Sequence, residues 1–333
     1  MNGATQWLRY CKLTIASEPA KGGSQTQIEA LDLSQFRIKF TVDQATVSKP
    51  TTAEITIYNI SPDTIKKIPA PTNRAVANQS IIVILEAGYQ ENHAVIFKGY
   101  LWWKTVGRES ATETYLKLVC SSGSMASHYA VVNASIPKGA TQNDIFKIVA
   151  QSMNENGVQT PETPILMATQ LPRGKVVYKM TKDAMQGLAD TNSFDWYIGS
   201  DGFKAVPKGE SYDPKEIAIV LNSDTGMLGR PTMTTAGVNV SCLLNPRINV
   251  GSIVQIDNAK IIKQTYSTEV NSVVQNFAST DFYSDADGLY KVIARTHQGD
   301  NRGNEWATTL ICQAVSGNPI VNPSVLNFTG NTA

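Results

Sequence analysis

The sequence predicts a mainly β protein in which two similar antiparallel β-barrel domains flank a small α+β domain. Three observations predict this fold class: alternating polar and apolar residues up to residue 124, helical spacing after it, and a return of the β pattern from residue 216. The chain has 333 residues, which at about 100–200 residues per domain suggests two or three domains.

The first β-barrel domain is assigned to residues 1–124. Its clearest strand is 35–42, where Phe36, Ile38, Phe40 and Val42 alternate with polar residues, as expected for a strand with one buried face. Further strands are expected at 8–16, 53–60, 80–87, 94–103 and 114–120, separated by turn-prone groups.

Residues 125–212 are interpreted as an α+β insert domain. Thr141 followed by Asp144 predicts a helix cap, and apolar residues recur at helical spacing until Asn156-Gly157 ends the run. A second helix is expected from Thr181, followed by a short hairpin of residues 194–198 and 202–206.

The β pattern returns in residues 213–317, assigned to the second β-barrel domain, and residues 318–333 are interpreted as an extended C-terminal tail. Strands are expected at 217–221, 238–244, 252–256, 289–297 and 307–314. Phe97 and Cys120 are 23 positions apart in the first region, and Tyr290 and Cys312 are 22 apart in the second. This matched spacing predicts a duplicated β domain.

The charge of the chain gives no support to nucleic-acid binding. The net charge is +1, and the three predicted domains, the last taken with the tail, carry +3, 0 and −2. The longest apolar runs, 81–85 and 217–221, are far shorter than the ~18 residues of a membrane-spanning helix, so no membrane insertion is expected.

The sequence offers no catalytic, cofactor-binding or metal site. The four cysteines are expected on apolar strand faces, where a thiol packs as a small hydrophobe. The three histidines have no partners at metal-ligand spacing, and no nucleophile elbow, Walker loop or dinucleotide fingerprint occurs. A pair of hydrolytic carboxylates has no local signature, so a hydrolase stays open at this point.

Five apolar side chains are candidates for an interface. Trp102 and Trp103 are adjacent on a predicted strand, so one ring should point away from the core that the other fills. In the tail, Val325, Leu326 and Phe328 form a short apolar group that could dock on a neighbouring subunit or a partner.

Segments of both β regions resemble the baseplate hub proteins of tailed phages. The segments that resemble the family are residues 53–62, 88–89, 96–100, 226–232, 237–246, 251–256, 290–292 and 297–306, in family order along most of the chain. The helices of the insert domain resemble the family only in type.

The resemblance implies a virion protein without enzymatic activity, assembled in the host cytoplasm into a homotrimer that forms part of the tail channel. It implies contacts with the tail tube protein and the central spike protein, and with tape measure and baseplate wedge proteins, while DNA is only in transit. Two tube-like barrels in each of three subunits would form a pseudo-sixfold ring that adapts the hexameric tube to the threefold spike. The alternatives are a tail-tip cell-wall hydrolase and a receptor- or carbohydrate-binding β protein.

Overall fold

A computed structural model describes residues 8–19, 30–68, 79–161, 163–208, 218–234, 237–256 and 288–315. Its strands are β1 (Arg9–Pro19), β2 (Leu31–Asp32), β3 (Ile38–Ala45), β4 (Val47–Pro50), β5 (Thr52–Tyr58), β6 (Gln79–Tyr89), β7 (Asn92–Arg108), β8 (Thr114–Ser121), β9 (Val131–Ile136), β10 (Lys175–Met180), β11 (Phe194–Gly199), β12 (Gly202–Pro207), β13 (Ile219–Leu221), β14 (Met227–Thr234), β15 (Gly237–Leu243), β16 (Ile253–Ile256), β17 (Leu289–Asp300) and β18 (Trp306–Ala314). Its helices are α1 (Pro62–Lys67), α2 (Ser124–His128), α3 (Gln142–Glu155) and α4 (Thr181–Asn192). The mainly β class is confirmed, with antiparallel sheets predominating.

The two β regions are joined into one sheet. Its main path runs β14-β15-β18-β17-β3-β5-β8-β7-β6-β1-β2, and β16 connects β13 to β17 beside that path. The regions meet where β3 pairs antiparallel with β17, from Ala294 opposite Ala45 to Asp300 opposite Lys39. Within the described ranges this path does not close into a barrel.

The same strand order occurs in both β regions. The first has the order β3-β5-β8-β7-β6-β1, and the second has β14-β15-β18-β17-β16-β13, with the strands corresponding one to one in chain order. One pairing differs, because β1 and β6 are antiparallel whereas β13 and β16 are parallel. The repeated order gives the two β regions equivalent strands, numbered ten to twelve places apart.

The inner faces of the strands form the cores as their alternation predicts. In β3, Ile38, Phe40 and Val42 are buried while the residues between them are not. Phe40 packs edge-on against Trp306 of the second region, with ring centroids 5.5 Å apart. Gly299 lies against this pair, and a Cβ there would come within 2.5 Å of Phe40 and 2.8 Å of Trp306. The absence of a side chain at 299 therefore allows the two regions to pack closely.

The middle region packs α3 and α4 over short sheets. The predicted cap of α3 is confirmed: Thr141 accepts from the Asp144 backbone N–H, and the Asp144 carboxylate accepts from the Thr141 N–H at 2.9 Å. Strand β11 pairs with β12 and, in parallel, with β4 of the first region. The proposed boundary at residue 124 stays a prediction, and those at 212 and 317 lie outside the described residues.

Several elements were not predicted from the sequence, among them α1 and the β9–β10 pair. The turn expected at Ser61-Pro62-Asp63 begins a short helix, α1, because Ser61 caps its N-terminus and Pro62 suits its first turn. Strands β9 and β10 pair over six residues each, although neither was expected.

Candidate assembly surface

Three of the four thiols are buried, and the fourth is partly buried. Cys120, Cys242 and Cys312 are buried, and Cys11 packs partly against the first core. Burial raises the pKa of Cys11 and Cys242 to about 12, and it raises the pKa of the other two as well. A protonated, enclosed thiol is a poor nucleophile and a poor metal ligand.

The described part of the chain has neither a metal-binding cluster nor a membrane-spanning helix. It contains no group of three or more His, Cys, Asp or Glu side chains that could hold a metal ion. None of its helices is long and apolar enough to cross a membrane.

Buried polar residues of β17 lie at the junction between the two β regions and bond to the rest of the second region. The Arg295 guanidinium donates through Nη1 to the Ile248 carbonyl and to Asn249 Oδ1, both at 2.7 Å. His297 is fully buried, and its Nδ1 lies 2.8 Å from Thr308 Oγ1. Burial lowers the pKa of Arg295 to about 10, and burial together with the Arg295 charge lowers the pKa of His297 well below its usual value. The imidazole is therefore neutral at pH 7.

The opposite face of this sheet is mostly polar and open, and we call it the threonine-rich face. It spans β15, β18, β17, β3, β5 and β8, and every member is exposed or partly exposed. Its members include Lys39, Thr41, Asp43, Thr52, Glu54, Thr56, Lys117, Val119, Ser121, Ser241, Thr296, Gln298 and Thr309, and the same side also carries the partly exposed residues Ala45, Leu243, Ala294, Ala307 and Ile311.

One row of this face crosses all six strands in register. The residues opposite one another are, in order, Ser241, Thr309, Thr296, Asp43, Thr52 and Ser121. Thr296 donates a hydrogen bond to the Asp43 carboxylate at 2.6 Å, and the Ser241 and Thr309 hydroxyls are 3.2 Å apart. The row crosses the β3–β17 junction without interruption, so both β regions contribute to one surface.

The charges on the threonine-rich face balance. Its two lysines, Lys39 and Lys117, match its two acids, Asp43 and Glu54. Lys117 Nζ lies 2.6 Å from the Glu54 carboxylate, and Lys39 Nζ lies 3.3 Å from that of Glu305 in the neighbouring loop. The face is therefore polar without being a basic patch that would hold phosphates.

Both candidate tryptophans are half-exposed, which corrects the expectation that one of them fills the core. Trp102 is 46% exposed and Trp103 is 51% exposed. The reason is a β-bulge: Leu101 lies opposite Cys120 and Trp103 lies opposite Val119, so Trp102 is an extra residue that interrupts the alternation. The Trp102 ring contacts the His128 ring, with centroids 5.4 Å apart.

Beyond the bulge, β7 is an open edge of the sheet. Residues 101–108 pair with β8 on one side, whereas β6 pairs only with the part of β7 up to Tyr100. Val106 on this edge is 54% exposed. Trp103 and Val106 thus provide apolar surface beside backbone groups that no strand of the described ranges pairs.

The remaining interface candidates belong to the predicted C-terminal tail. Val325, Leu326 and Phe328 lie outside the described residues. The sequence analysis missed the outer face of the β9–β10 pair, where Val176 and Tyr178 are exposed. Their alternation in a short strand is the signal that could have identified it.

A family model matches the chain over most of its length. Residues 22–262 match the family described as Baseplate hub gp41. No curated protein matches the chain.

Solved structures of tail proteins share the fold. A 43 kDa tail protein of prophage MuSo2 from Shewanella oneidensis superposes with a TM-score of 0.55 at 7% identity, covering 92% of this chain and 99% of that one. A tail protein from Neisseria meningitidis MC58 gives 0.50 at 10% identity, covering 90% and 96%. A chain of the Francisella PdpA-VgrG complex gives 0.52 at 9% identity, covering 94% and 59%. At these identities the likeness concerns the fold alone.

Proposed function

Since the chain belongs to the baseplate hub gp41 family, we propose that it forms a trimeric hub that joins the hexameric tail tube to the threefold central spike. Its role as a non-enzymatic structural component of the phage tail follows from the family itself. The trimer, the named partners and assembly in the host cytoplasm before incorporation into the virion are our proposal.

The observation that carries the proposal is the single sheet that runs through both β regions. Two regions with the same strand order provide two similar positions per chain, and three chains provide six. A ring of six similar units matches a hexameric tube, while the differences between the two regions keep the true symmetry threefold. A protein with this arrangement can bind a sixfold partner on one side and a threefold partner on the other.

The threonine-rich face is the proposed channel wall. It is continuous over six strands, and its hydroxyl and amide side chains keep it wetted. Since its four charges cancel, it would not bind the phosphate backbone tightly, which suits DNA that passes through without being retained. The buried cores on the opposite side of the sheet give the wall its stiffness.

The domain assignment follows the same reasoning. Residues 1–124 and 213–317 would supply the two ring positions, and residues 125–212 would lie outside the ring, where the tape measure and baseplate wedge proteins are candidate contacts. The tail of residues 318–333, with Val325, Leu326 and Phe328, is proposed to dock on a neighbouring subunit or on the spike.

The mass of the assembly in solution tests the proposal. Light scattering of the purified full chain, alone and co-expressed with the tail tube and spike proteins of the same phage, should give a hub mass of three times the 36.2 kDa of one chain. Tagged protein should be found at the baseplate end of purified virions. A stable dimer, or label along the whole tail, would contradict the proposal.

A further inference from the structure

The junction inside one chain indicates how two chains meet. Internally, β17 of the second β region pairs with β3 of the first region. In the repeated strand order, β7 is the equivalent of β17, and β14 is the equivalent of β3. The edges of β7 and β14 that correspond to this junction have no partner strand in the described ranges.

The bulges align the two repeats residue by residue. In β7 the extra residue Trp102 follows Leu101, which lies opposite Cys120. In β17 the extra residue Ile293 follows Val292, which lies opposite Cys312. With the two bulges superposed, Val106 of β7 takes the position that His297 occupies in β17.

The same alignment identifies the residue of β14 that is equivalent to Val42 of β3. Val42 of β3 lies opposite Ala53, which in turn lies opposite Cys120. Met233 of β14 lies opposite Val238, which lies opposite Cys312. Met233 is therefore the equivalent of Val42.

We infer that neighbouring subunits join by antiparallel pairing of the β7 edge of one chain with the β14 edge of the next, with Val106 opposite Met233. This register copies the pairing of His297 with Val42 inside the chain. The inference rests on the proposed trimer and specifies its interface. Because the two edges differ, the contact is head-to-tail, and three chains joined in this way form a ring. A self-complementary contact would instead give a dimer.

The chemistry of the two edges suits this pairing. Val106 is more than half exposed in the single chain, and Met233 is partly exposed, so pairing removes two apolar side chains from water. On β14, Pro231 and the irregularity between Leu228 and Thr232 interrupt the strand, which confines regular pairing to the part that contains Met233. This interruption also limits indiscriminate edge-to-edge association.

Cysteine cross-linking tests the register. The full-length variant Val106→Cys with Met233→Cys, oxidised with copper phenanthroline, should run as a covalent trimer on a non-reducing gel. Residue pairs in an antiparallel sheet alternate between hydrogen-bonded and non-hydrogen-bonded geometry, and the two differ in how well they fit a disulfide. A second variant, Thr105→Cys with Thr234→Cys, therefore tests the pair at the next register position. The matched control is Val106→Cys with Leu228→Cys, on the same two strands but five residues out of register, which should not cross-link.

The outcomes separate this inference from the proposed function. A threefold mass without cross-linking of either pair would overturn the inference and leave the trimer standing. A monomeric mass, alone and with the spike and tube proteins, would overturn the trimer itself. Covalent dimers as the end point would overturn both.

A charge placed on the β7 edge tests the interface independently of cross-linking. Val106→Asp should shift the chain from trimer to monomer at a given concentration while leaving the urea midpoint of the monomer within error. Val176→Asp is the control, since Val176 on β10 is even more exposed than Val106, and it should leave the mass unchanged. An unchanged mass for Val106→Asp would contradict the inference.

Discussion

Mild acid should destabilise the protein through His297. The side chain is fully buried next to Arg295, and burial together with that positive charge lowers the pKa of His297 well below its usual value. The folded chain therefore keeps the imidazole neutral at a pH where the unfolded chain protonates it. The stability that depends on the neutral form is complete above the unfolded-state pKa and is lost progressively below it.

The size of the effect follows from one proton. An unperturbed histidine titrates near pH 6.5, and one pH unit corresponds to about 1.4 kcal/mol for each proton bound only by the unfolded state. Between pH 7.5 and 5.5, His297 should thus lower the free energy of unfolding by about 1.4 kcal/mol. Other titrating groups contribute as well, so the measured quantity is the difference between wild type and His297→Gln, whose amide can still bond to Thr308.

Urea unfolding at pH 7.5, 6.5 and 5.5, followed by tryptophan fluorescence and circular dichroism at one protein concentration, measures this difference. The His297→Gln variant should be less stable than wild type at pH 7.5 but should lose about 1.4 kcal/mol less on acidification. The same substitution at His128, whose ring is exposed, is the matched control. Parallel losses in wild type and His297→Gln would refute the reasoning.

Three further predictions concern packing, an ion pair and the thiols. Gly299→Ala should lower the free energy of unfolding by roughly 1–3 kcal/mol, because the added methyl group would clash with the rings of Phe40 and Trp306. The control Gly187→Ala, on the exposed face of α4, should raise the free energy of unfolding by about 0.5–1 kcal/mol. Urea titration of both variants checks these opposite signs. Asp300→Asn should cost about 1 kcal/mol at pH 7, since Arg37 is a third exposed, and progressively less as acid protonates the carboxylate. Burial alone would raise the pKa of Asp300, but hydrogen bonds from Arg37 and the backbone lower it, so a cost independent of pH would be contrary evidence. Iodoacetamide at pH 8 should label the three buried cysteines, Cys120, Cys242 and Cys312, only after unfolding, as mass spectrometry would show; rapid labelling of any of the three in the native chain would disprove their enclosure.

Local patterns were sufficient to predict most of the strands. The alternation around Phe40 predicted β3, and the Thr141 and Asp144 pair predicted the start of α3, because each signal lies within a few consecutive residues. The mainly β class and the change to helices after the first region followed from the same kind of signal.

Long-range pairing could not be predicted in this way. The β3–β17 junction joins residues about 250 positions apart, and no local pattern states which strand will lie beside which. The bulge at Trp102 was missed for a related reason: it depends on how β7 meets β8, and no glycine or turn residue marks it. The exposure of both tryptophans therefore came from tertiary structure.

The β3–β17 pairing also has a consequence for synthesis. A ribosome adds about 5–20 residues per second, so β3 emerges roughly 12–50 s before the strand that completes its edge. During that interval a nascent chain presents β3 to the other chains made on the same message. Lys39 and Asp43 alternate along its outward side, and charges on an unpaired strand discourage pairing with a foreign strand. Two of the four residues whose charges cancel on the finished face would thus protect the unfinished chain from aggregation.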